Sequence, residues 1–79
     1  MLKKDERAIK SAVREERECG HTFCDFDDKQ NDLREIAEII GVEMIYNEDD
    51  EAEEEYVFKN EKDEERVKEA LNYYYELHS

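Results

Sequence analysis

Two thiols and an imidazole fall within six residues, Cys19-Gly20-His21-Thr22-Phe23-Cys24, and thiolate with imidazole is the donor set that zinc prefers. His78 or Asp25 would supply a fourth ligand. Structural zinc sites usually pair cysteines two to four residues apart and repeat that pair elsewhere, and this chain has no second pair. Cys19, His21 and Cys24 are therefore weak metal candidates, and the plainer expectation is two small apolar thiols in a loop with His21 near the surface. A cysteine nucleophile with a histidine base would need oxyanion donors or a glycine-rich elbow, and none can be pointed to. Asp25-Phe26-Asp27-Asp28-Lys29 begins like a calcium loop, but Lys29 takes the third ligand position and no glycine stands at the sixth. No phosphate-cradling glycine loop is present either. Neither an enzyme nor a cofactor is expected.

Carboxylates are the abundant chemistry. From Glu35 to Phe58 the chain carries ten acids (Glu35, Glu38, Glu43, Glu48, Asp49, Asp50, Glu51, Glu53, Glu54 and Glu55) and not one Lys or Arg. Alternate residues on one face of a strand lie about 6.7 Å apart, and i, i+4 residues on a helix about 5 to 6 Å. Such spacings resemble those of phosphates, whose charges repeat about every 3.4 Å of rise per strand. Together with Glu61, Glu64, Glu65 and Glu69 further on, these acids could form an array that a phosphate-gripping groove would accept. The competing expectation is a solvated loop whose charges keep a sheet edge from aggregating. Tyr73, Tyr74 and Tyr75 step round a helix by about 100° each, so they cannot share one core stripe, and one of them should look outward as an interface anchor.

Charge fixes the kind of partner. Twelve Lys and Arg stand against 25 Asp and Glu, a net charge of −13, which disfavours direct contact with nucleic acid or an anionic membrane and favours a basic protein. Residues 1–17 alone are net positive, at +2, so this segment could pair with the acidic body or guide a homodimer. With no apolar run near the roughly 20 residues of a membrane span and no signal-like start, a cytoplasmic location is expected.

The elements that must position these groups follow from periodicity. Leu2 to Glu18 reads as a helix with a narrow apolar face of Leu2, Ile9 and Val13. A second helix is expected from about Asp28 to Ile40, on Leu33, Ile36, Ala37 and Ile40, with Asp27 and Gln30 forming a capping box and Gly41 ending it. Val42–Tyr46 and Glu55–Lys59 alternate as two strands of a hairpin. Asn60 caps a third helix through Leu77. The fold class is α+β: one small domain over residues 1–79, in the order ααββα, with a two-stranded antiparallel hairpin packed on helices. Helices two and three are expected to cover the hairpin, setting Leu33, Ile36, Ile40, Val67, Leu71 and Tyr74 against Val42, Met44, Tyr46, Tyr56 and Phe58.

Glu55-Tyr56-Val57-Phe58 leading into Glu61 to Leu77 resembles the hairpin-to-helix passage of small inhibitors carried by phages and other mobile elements, the DNA-mimic anti-restriction and anti-CRISPR proteins. The resemblance covers less than a third of the chain. It implies a non-enzymatic acidic inhibitor that occupies the nucleic-acid-binding groove of a basic target such as a nuclease. The partner-binding residues would be Glu48, Asp49, Asp50, Glu51, Glu53, Glu54, Glu55, Glu61, Glu64 and Glu65, with Tyr46, Tyr56 and Tyr73 as anchors. The alternative is a small acidic structural or regulatory interaction module, with a homodimer as one form of it.

Overall fold

The computed structural model describes residues 1–47 and 55–78, with residues 46, 47, 55 and 56 described at the level of the backbone. Five elements follow in the order α1 (Lys3–Cys19), α2 (Lys29–Ile40), β1 (Met44–Asn47), β2 (Glu55–Phe58) and α3 (Glu61–Leu77). The helix ends obey local chemistry. Asp28, in extended conformation, accepts from the backbone N–H groups of Gln30 and Asn31 and starts α2. The cap is thus Asp28 rather than the expected Asp27, because Asp28 is the residue at the entry to the first turn. Gly41 ends α2 at φ 80°, a left-handed conformation that glycine reaches without a Cβ clash. The Asn60 side chain accepts from the Asp63 N–H and starts α3, and Glu61, Asp63 and Glu64 favour that helix end electrostatically.

The three helices pack on one another around Ile9, Val13, Cys24, Ile36, Ala37, Ile40, Val42, Val67, Ala70, Leu71 and Tyr74. Ile9 is wholly buried, so α1 is a full partner in the core. Leu2, expected on its apolar face, instead precedes the helix as its N-cap and stays exposed. The hairpin takes the smaller share. Its strands are antiparallel, pairing Met44 with Phe58, Ile45 with Val57, Tyr46 with Tyr56 and Asn47 with Glu55. Met44 and Phe58 are half-buried against the helices, while Ile45 and Val57, on the alternate face, stay exposed. The architecture is a mostly helical small domain carrying a hairpin; the α+β expectation gave the sheet a larger part of the core than it has. Among the described residues no helix is long and apolar enough to cross a membrane.

Candidate functional site

Three carboxylates lie on the apolar stripes of the helices and are buried with them: Asp5 and Glu16 on α1, and Asp32 on α2. Each has a built environment. The guanidinium of Arg66 donates from Nε and Nη2 to both Asp5 oxygens, at 2.7 and 2.6 Å, and from Nη2 to the Ile40 carbonyl at 3.3 Å. That hydrogen-bonded guanidinium holds the Asp5 carboxyl below the usual carboxylate range.

Glu16 and Asp32 organise the opposite end of α1. The Tyr74 hydroxyl and the Phe23 N–H both donate to Glu16 Oε1, the latter at 2.9 Å. His78 sets Nε2 2.6 Å from Glu16 Oε2 and Nδ1 2.8 Å from the Tyr74 carbonyl oxygen. Both neighbours are hydrogen-bond acceptors, so His78 ties the end of α3 to Glu16. Asp32 accepts from the Tyr75 hydroxyl at 2.6 Å and from the Asp25 N–H at 3.1 Å. Phe26, left-handed at φ 66°, lays its ring on Tyr74, 5.8 Å between centroids, and beside His78 at 5.4 Å. Burial, followed by the acceptor carboxylates, pushes the Tyr74 and Tyr75 hydroxyls above the ordinary phenol range.

Cys24 sits inside this cluster. Burial, then the nearby Asp32 charge, pushes its thiol up to about 12, so it stays protonated at neutral pH and is a poor nucleophile. Cys19 and His21 are exposed whereas Cys24 is buried, and no group of three or more His, Cys, Asp or Glu among the described residues could hold a metal. The three metal candidates are thus not brought together. What they border is a polar clamp that fastens the loop between α1 and α2 to the end of α3.

The expected acidic surface divides in three. Glu48, Asp49, Asp50, Glu51, Glu53 and Glu54 lie outside the described residues. Tyr46, Tyr56 and Glu55 are placed by backbone register alone. Glu61, Glu64 and Glu65 occupy the first two turns of α3; Glu61 and Glu65 are exposed, and Glu64 is half-buried with its carboxylate 2.9 Å from Lys68 Nζ. Among the described residues, two acids of the Glu35–Phe58 stretch meet cations that flank it: Glu43 pairs with Lys59 at 2.6 Å, and Glu35 with Arg34 at 3.7 Å. No family model, curated protein or solved structure matches this chain. The anchor expected at Tyr73 is half-buried on the core, with Lys10 of α1 as its neighbour, so none of Tyr73, Tyr74 and Tyr75 is fully exposed.

Beside Glu61 and Glu64 an open groove of about 430 Å³ separates α2 from the hairpin, with Leu33, Met44 and Phe58 along its floor and Val57, from the outer face of the strand, at its edge. The cations gather elsewhere. Lys3, Arg7, Lys10, Arg14 and Arg17 follow the i, i+4, i+7, i+11, i+14 spacing of one exposed α1 face, and only Lys10 forms an ion pair among the described residues, with Glu6 at 3.1 Å.

Sequence reading missed the buried acids and the groove. A signal for the acids existed: Asp5, Ile9, Ala12 and Glu16 recur on one helical stripe, as do Asp32 and Ile36, and a carboxylate in an apolar stripe needs a partner. The groove had no such signal, because it depends on how far the hairpin stands from α2.

Proposed function

We propose that this protein is a non-enzymatic acidic inhibitor that binds the basic nucleic-acid-binding groove of a target protein such as a nuclease. The observation that carries the reading is the separation of charge: cations line the outer face of α1, while Glu61 and Glu65 stand exposed at the start of α3 with no ion-pair partner among the described residues. On sequence alone, the reading also assigns Glu48–Glu55, Tyr46 and Tyr56 to partner binding. A patch of one sign steers a partner of the other sign, gives fast association and weakens as salt screens it. Competition between this protein and duplex DNA for a purified target nuclease tests the reading. Displacement of DNA at low salt, relieved by reversing Glu61 and Glu65 to Lys but not Glu15 and Glu18, is expected; DNA binding that stays unchanged ends it.

The exposed pair Ile45 and Val57 favours a second reading, a small acidic regulatory module that associates through its hairpin face, as a homodimer in its simplest form. It predicts that Ile45→Asp abolishes association and that reversing Glu61 and Glu65 does not.

A further inference from the structure

We propose that the groove between α2, the hairpin and the start of α3 receives an apolar side chain from a Lys- or Arg-bearing segment of the partner protein, an inference that rests on the acidic-inhibitor reading and narrows its partner. The floor sets the first requirement. Leu33, Met44 and Phe58 are only half-buried and Val57 is exposed, so the space beside them offers apolar surface that the fold itself does not cover. A surface that copied a polyphosphate would have no use for such a floor, since phosphate contacts are carried by charge. The rim sets the second requirement. Glu61 opens onto the groove with no ion-pair partner among the described residues, and Glu64 lies beside it with Lys68. Glu61, Asp63 and Glu64 also offset the positive end of α3, which removes the usual attraction of a helix start for an anion. An acidic peptide or an anionic lipid surface would meet repulsion here. A leucine or isoleucine next to Lys or Arg would bury its side chain on the floor while the cation reached Glu61, and protein interfaces commonly combine such an apolar centre with a charged rim. At about 430 Å³ the groove lies within the range of small-molecule sites, so it admits one or two side chains rather than a helix laid along its length.

The test uses the full chain and two acetylated twelve-residue peptides of equal charge, one alternating Lys with Leu and the other Lys with Ser, titrated into ¹⁵N-labelled protein. The Lys–Leu peptide is expected to bind at least tenfold more tightly and to shift the amide signals of Leu33, Met44 and Phe58, while the Lys–Ser peptide moves signals across the acidic faces without that focus. Val57→Ser, which removes apolar surface without adding charge, should lower affinity for the Lys–Leu peptide at least fivefold and leave the Lys–Ser peptide unchanged; Ile45→Ser should change neither. Equal affinities for the two peptides overturn the inference on the unmodified protein, whatever the variants do. So does concentration-dependent dimerisation that Val57→Ser abolishes and Ile45→Ser does not, since a second copy would then occupy the groove. Failure of the DNA competition with an intact Lys–Leu preference would remove the inhibitor reading and leave the groove's chemistry standing, so the two outcomes are distinguishable.

Discussion

Asp5, Glu16 and Asp32 carry the same functional group as Glu61 and Glu65, yet the two sets do opposite work. The first three are almost wholly removed from water, and each accepts two or more hydrogen bonds or a bidentate guanidinium. Outside, on α3, Glu61 and Glu65 keep their hydration and their charge for whatever approaches. In a chain of net charge −13, acids cannot be counted as one population. Those with built partners specify how the helices meet, and those without them determine the field outside.

The sharpest attempt to break this contrast is Asp5→Ala. It strands Arg66 at a helix junction, and loss of one partner of a largely buried ion pair should cost about 3 kcal/mol. That is a large part of the roughly 4 to 12 kcal/mol expected for a domain of this size, so the urea midpoint should fall steeply, whereas Glu65→Ala should leave it within about 0.5 kcal/mol. If both variants unfold alike, the division between structural and surface acids is wrong. Next in size come Tyr74→Phe and Tyr75→Phe, which delete one donor each to Glu16 and Asp32 and should cost about 1 to 2 kcal/mol apiece by chemical denaturation.

Acid titration separates the sets by pH. Because Arg66 lowers the Asp5 pKa in the folded state, Asp5 contributes stability that is present above its ordinary value of 3.8 and is lost as pH falls further through the folded value. The stability difference between the parent protein and Asp5→Ala should therefore hold steady from neutral pH to about pH 5 and shrink below pH 4. Urea melts at pH 7, 5 and 3 measure it, and a difference that grows on acidification contradicts the ion pair. The gentlest probe changes no residue. A thiol reagent at pH 8 should modify exposed Cys19 quickly and leave Cys24 unmodified until the protein is denatured, as mass spectrometry of the two peptides would read.

Much of the frame was legible in the chain. The stripe of Leu33, Ile36, Ala37 and Ile40, together with Gly41, marks α2, and Asn60 with the acids after it marks α3, because those signals act within a turn or two. The role of α1 was not legible. Its apolar face is narrow only if Asp5 and Glu16 are assigned to solvent, and their partners, Arg66, Tyr74 and His78, come 58 to 62 residues later in the chain. The tyrosines erred in the other direction: 100° steps do spread Tyr73, Tyr74 and Tyr75 round the helix, but α1 on one side and Asp32 on the other cover the flanking two. The acidic array is the part least legible either way, since Glu48–Glu54 lie outside the described residues.

Arg66 touches the beginning of α1 through Asp5 and the end of α2 through the Ile40 carbonyl, while itself belonging to α3. One planar cation is thus the meeting point of all three helices. During synthesis the first two helices leave the ribosome before the residue that joins them exists, and Asp5 must wait in water until it does. A fragment ending before residue 66 would lack that junction together with most of α3, and helices as short as α1 and α2 are marginal on their own in water.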